Sequence, residues 1–426
     1  MLSLLKTVAQ NGLSESVVRR AITLLAFTIP ASLINLLFTY VAAHKLEPDE
    51  FGIFYAAITA INILFAPAVI FNLLFSRYVS TLYAESGSDA ARHSHFIVLS
   101  TTLRWLSAFT FVGLAAVVIL GVIGGFFSAQ LAMVVIIIVA TSYFAECGRI
   151  FLQGEHRFLT LGIYTLIWMS GRLVFGTIGL WVFGTVWSGL AGVVFAAPVV
   201  FFLFFGLKPL ISKPAKIPDL LPPNLSELVP FAIGYAIFAA VAHADIIVAY
   251  LMLDPYQLGV YSASSVLPKG ILMLTLPIIQ LAFPLMVDNR VKETPGMSVM
   301  VKGFLLTSVV AASGVIVAII FRETVCASRY GFNSCDIPTM IYAAVAMIPF
   351  VLVRFLISVD YSAHRDWVPG LLIVPLCIFV GLNLNKPLDS QGLATLFLIF
   401  SFIVLLLYPA LRIAQPLLLR LMPQSP

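Results

Sequence analysis

Five ionisable residues lie inside long apolar runs: Arg104, Arg172, Asp245, Lys269 and Arg354, with His243 two positions from Asp245. A charge at the centre of a bilayer-spanning helix costs roughly 2.5–3.5 kcal/mol on the insertion scale. Five facing lipid would cost on the order of 15 kcal/mol, so they are expected to face water or one another. Arg172 and Lys269 fall near the middle of their runs, where reaching an interface is hardest, and are expected to line a cavity. Arg104 and Arg354 lie about 12 Å and about 9 Å from the nearer end of their runs. They reach either a cavity or the interface. Asp245 either pairs with Lys269 on the following run or binds a coupling cation or proton. His243 falls on a different helix face from Asp245 and reads as a hydrogen-bonded filler or as part of that coupling site. Four bases against one acid suit an anionic ligand. Arginine favours phosphate because its fork donates two parallel hydrogen bonds, whereas Lys269 would act as a point charge.

The elements that position these residues are helices. Of 426 residues, 61% are hydrophobic and 10% charged, with mean hydropathy +1.05; soluble domains carry about 25% charged residues. The chain reads as an all-α polytopic membrane protein. Continuous rather than alternating apolar runs argue against a β-barrel. The net charge of +5 comes from bases dispersed in loops and is not a nucleic-acid signal. Twelve spans are predicted, near 21–43, 52–76, 96–120, 128–152, 159–183, 186–206, 227–252, 257–287, 298–321, 337–360, 367–384 and 392–416.

They divide into a cytoplasmic segment 1–20, a first six-helix bundle 21–206, a linker 207–226, a second bundle 227–417 and a tail 418–426. The linker is marked by Lys208, Lys213, Lys216 and five prolines. The amino terminus does not read as a cleavable signal, because Arg19-Arg20 open a full-length run. Sixteen of the 24 Lys and Arg fall on the side of the termini, in or beside the connectors, and four on the other side. That bias places both termini in the cytoplasm.

The two halves are related by a repeat. Residues 46–56 (Leu-Glu-Pro-Asp-Glu-Phe-Gly-Ile-Phe-Tyr-Ala) recur at 253–263 (Leu-Asp-Pro-Tyr-Gln-Leu-Gly-Val-Tyr-Ser-Ala), an offset of 207. Each copy joins the first and second span of its half. Glu47 and Asp254 are expected as N-caps, and Pro48 and Pro255 as first helical residues. Glu50 and Gln257 sit as in a capping box. Gly52 and Gly259 permit close packing one turn later. His156-Arg157 and His364-Arg365 echo the duplication at offset 208. Six spans per half give a parallel repeat about a pseudo-two-fold axis along the membrane normal, as in transporters that bind substrate between repeats. Lys269 then corresponds to Asn62. Pro268, Gly270, Pro277 and Pro284 predict bending or partial unwinding of the eighth span.

Cys326 and Cys335 share one external loop and can form a disulfide if the exterior is oxidising. No nucleotide-binding loop, zinc signature or nucleophile elbow is present, and no metal or cofactor is expected. External loops of at most about 16 residues weigh against a polysaccharide polymerase or glycosyltransferase. The excess of bases in the spans weighs against a cation-coupled drug exporter. A non-transporting scaffold of a synthase complex is the third alternative.

The stretch Leu46-Glu47-Pro48-Asp49-Glu50-Phe51-Gly52, its relative at 253–259, the twelve spans and the basic linker together resemble one family. It is the polysaccharide flippases (the O-antigen and capsule branch) of the multidrug/oligosaccharidyl-lipid/polysaccharide exporter superfamily. The resemblance implies a bacterial inner-membrane protein that moves an undecaprenyl-pyrophosphate-linked oligosaccharide from the cytoplasmic to the periplasmic leaflet. Its partners would be that anionic lipid-linked sugar, membrane lipids and polysaccharide synthesis machinery. No motif carries the family's binding residues onto this chain, so Arg104, Arg172, Lys269 and Arg354 rest on burial of charge alone.

Overall fold

A computed structural model describes residues 15–117, 129–206, 225–291, 297–323, 336–362, 368–384 and 388–421. The first half contributes α1 (Glu15–Lys45), α2 (Pro48–Val117), α3 (Ala129–Gly154), α4 (Phe158–Phe183) and α5 (Val186–Phe205). The second contributes α6 (Leu225–Ala242), α7 (Ala244–Met252), α8 (Pro255–Val291), α9 (Met297–Ile320) and α10 (Ile337–Ser362). A 3-10 turn (Val368–Leu372), α11 (Ile373–Asn383) and α12 (Ser390–Leu421) complete it. Each of the twelve predicted spans has a helical counterpart. The architecture is two six-span bundles in a parallel pseudo-two-fold repeat. Most of linker 207–226, and both Cys326 and Cys335, lie outside the described residues.

The repeated turn does what its residues dictate. α2 starts at Pro48 and α8 at Pro255. The Gln257 amide donates to Asp254 Oδ1 at 3.0 Å, a side-chain N-cap. The two copies also meet. A Cβ added at Gly52 would lie 2.7 Å from Leu258 Cγ and 2.9 Å from the Gly259 nitrogen. One added at Gly259 would strike the Pro48 backbone, 2.9 Å from its Cα. The small residues therefore let α2 and α8 cross backbone to backbone at the end of the bundles opposite the start of α1.

Two local expectations are corrected. The predicted connector 77–95 is helical, so two spans share the 70-residue helix α2. That segment has no proline and a single glycine, Gly87, and its alanines, Glu85 and Arg92 favour helix. Leu99, beyond it, is buried in the principal apolar cluster. Of bending and partial unwinding, the eighth span does not show the unwinding: α8 is helical from Pro255 to Val291, through Pro268, Pro277 and Pro284. The break falls in the seventh span instead, where α6 and α7 meet at His243 with a 55° bend. Within the second bundle, the buried Asp360 of α10 holds α12. It accepts from Tyr408 Oη at 2.8 Å and pairs with Arg412 Nε at 2.8 Å.

Candidate functional site

A cavity of about 530 Å³ lies between the bundles, lined from α1–α5 on one side and α6, α8, α9 and α10 on the other. It extends from the α2–α8 crossing toward the end where α1 begins. Asn62 and Lys269, the pair matched by the repeat, both line it. So do Arg172, Arg354 and His243. A fourth base, Arg149, lines it as well. Among the described residues, no aspartate or glutamate does. Leu33 of α1 and Val317 of α9 line the cavity and are 53% and 47% exposed. Both residues thus join the cavity lining to exposed apolar surface.

The bases of the second bundle are engaged within the protein. The break at His243 ends α6 with a carbonyl that lacks an intrahelical partner, as helix ends do. Lys269 Nζ fills that role, donating to Ala242 O at 2.6 Å and to Asp245 Oδ1 at 2.7 Å. Its charge also sits 4.5 Å from the centre of the Phe397 ring. Tyr261 Oη donates to the other Asp245 oxygen at 3.0 Å. Asp245 is fully buried and Lys269 nearly so. Of the two readings of Asp245, the structure displays the pairing with Lys269. His243 lines the cavity, with Nδ1 buried and unpartnered. Arg354 donates through Nε to Tyr235 Oη and through Nη1 to Leu272 O, each at 3.0 Å.

The first bundle differs. Among the described residues, Arg172 has one hydrogen bond, a 3.8 Å contact from Nη1 to Met169 Sδ, and its buried Nε has no acceptor. Arg149 is braced on one side: Nη1 donates to Glu146 Oε2 at 3.2 Å. Asn72 Nδ2 fixes the other Glu146 oxygen at 2.6 Å. The Arg149 Nε is likewise buried without an acceptor. Of the two readings of Arg104, the cavity is not the one displayed. Arg104 is exposed and does not line the cavity, as suits a side chain that reaches an interface. Sequence reasoning grouped Arg149 with the connector bases. The available signal was its position inside the apolar run 128–152.

No protein-family model matches the chain, and no curated protein does. Solved structures share its fold. One is an inward-facing multidrug resistance transporter of the MATE family, MOP superfamily: TM-score 0.63, 13% identity, 94% of this chain and 99% of that one covered. Another is a MATE transporter in a bent conformation: TM-score 0.63, 13% identity, 95% and 96% covered. A third is a MOP-superfamily transporter from Pyrococcus furiosus, described by a reversed polarity of its binding pocket that suggests a different function: TM-score 0.60, 13% identity, 93% and 94% covered. The chain is a multi-pass membrane protein with the two-bundle fold of MATE transporters.

Proposed function

We propose that this chain is a flippase. It carries an undecaprenyl-pyrophosphate-linked oligosaccharide from the cytoplasmic to the periplasmic leaflet by alternating access, for surface or exopolysaccharide synthesis. The observation that carries the reading is the polarity of the cavity: four bases line it, with no acid among the described residues. A pyrophosphate enters such a space at lower cost than any organic cation. The half-exposed lining residues Leu33 and Val317 add support, because apolar surface at the cavity's edge suits a polyprenyl tail that stays in the bilayer while the headgroup occupies the cavity. The lysine and arginine bias puts the termini, and the end toward which the cavity extends, in the cytoplasm. The chain acts as a transporter rather than an enzyme, in a bacterial inner membrane.

The competing reading is a drug exporter, favoured by the fold shared with multidrug resistance transporters. Cavity charge weighs against it: Asp245 and Glu146 compensate Lys269 and Arg149, but among the described residues no carboxylate pairs with Arg172 or Arg354, and a cationic drug would meet both. The two readings separate in proteoliposomes. A labelled pyrophosphate-linked oligosaccharide is placed in one leaflet, and its exposure to an impermeant glycosidase is followed. Wild type should accelerate exposure and Arg172→Ala should abolish it at equal incorporation. Acceleration of organic-cation efflux with no effect on the lipid-linked sugar would refute the flippase.

A further inference from the structure

The four bases around the cavity are not equivalent. Those of the second bundle have their donors committed: Lys269 to Asp245 and Ala242, Arg354 to Tyr235 and Leu272. Those of the first bundle do not. Arg172 and Arg149 each keep a buried Nε–H without an acceptor. A buried donor left unmatched is unfavourable unless a ligand completes it. From the observed geometry we infer that the anionic headgroup is bound by the first bundle alone. Arg149 and Arg172 provide two stations, and Lys269 and Arg354 brace the opposite wall.

The two arginines lie at different depths. Arg149 is five residues before the end of α3 and Arg172 fourteen after the start of the antiparallel α4. At the helical rise the stations are roughly 13 Å apart along the bundle axis. Arg149 is the outer station, on the side where α1 begins, and Arg172 the inner one. Glu146 sets the strength of the outer station. It neutralises one face of the Arg149 guanidinium while Asn72 holds the carboxylate in place. An anion arriving at the accessible part of the Arg149 side chain, which is 20% exposed, meets a partly compensated cation, which binds it and also releases it inward.

The inference rests on the flippase reading, and one titration separates their failures. Farnesyl pyrophosphate is titrated into the purified full-length protein in detergent, with farnesol as the uncharged control. Wild type should bind the pyrophosphate and not the alcohol. Arg149→Ala and Arg172→Ala should each weaken binding at least about tenfold, the loss of one charge-assisted hydrogen bond. The double variant Asp245→Asn/Lys269→Met removes a neutral pair and should change affinity less than about threefold. Glu146→Gln should tighten binding, a direction that mere damage to the fold would not produce. Arginine variants that bind like wild type, or a double variant that loses as much as they do, overturn the inference and leave the flippase standing. Wild-type protein that binds no farnesyl pyrophosphate overturns both.

Discussion

The α2–α8 crossing gives a sharp test through Gly259→Ala. A Cβ there would lie 2.9 Å from Pro48 Cα and nearer still to the Pro48 carbonyl. Carbon atoms rest at about 3.5–4.0 Å, so the helices must part by roughly 1 Å. The obstacle is backbone and cannot rotate aside as a side chain would. Overpacking costs about 1–3 kcal/mol, and this site belongs at the upper end. At about 1.4 kcal/mol per tenfold, the closed crossing should lose about a hundredfold in population against any state in which it is open. The measurement is a spin-label distance between Glu47→Cys and Asp254→Cys, both exposed beside the crossing, with the native cysteines replaced. Gly259→Ala should shift the distribution to longer distances and lower the thermal midpoint. Gly381→Ala is the control, since nothing lies within 4 Å of a Cβ there. An unchanged distribution and midpoint in Gly259→Ala would refute the claim that the crossing closes that end.

Two further outcomes concern the charges. Lys269→Ala strands Asp245 and the Ala242 carbonyl in a buried site, so thermal unfolding in detergent should show a loss of about 3–5 kcal/mol. Asp245→Asn/Lys269→Met should recover most of it, and an equal loss in the double variant would show the pair is not what matters. Arg104→Gln should leave vesicle transport within about twofold of wild type, because the side chain is outside the cavity. A loss as large as that of Arg172→Ala would contradict its placement.

Much of the fold was legible because its signals are local. Pro48 and Pro255 announce helix starts through their missing amides, and the apolar runs announce spans. Arg172, Lys269 and Arg354 were legible because a charge deep in an apolar run has few places to go. Arg149 was missed because it lies close to the end of its run, where a base reads equally well as an interfacial anchor. The segment 77–95 was read from its polarity, whereas its helix propensity decided the backbone. The bend at His243 had no local sign. Neither proline nor glycine stands there, and the group that satisfies the Ala242 carbonyl lies 27 residues away, on Lys269. The prolines of α8 leave it helical throughout, without the partial unwinding they allow, since a membrane helix can re-satisfy the carbonyls that proline frees.

The meeting of Gly52 with Gly259 also speaks to ancestry. Equivalent residues touch across a two-fold only in a self-complementary interface, the kind made by a symmetric dimer. A six-span ancestor pairing with its own copy would have placed this glycine against itself, and every substitution would have struck both walls of the cavity at once. Fusion of the two genes lifts that restriction. The present chain displays the outcome at matched positions: Asn62 faces Lys269, and Glu146 occupies in the first half the place that Arg354 holds in the second.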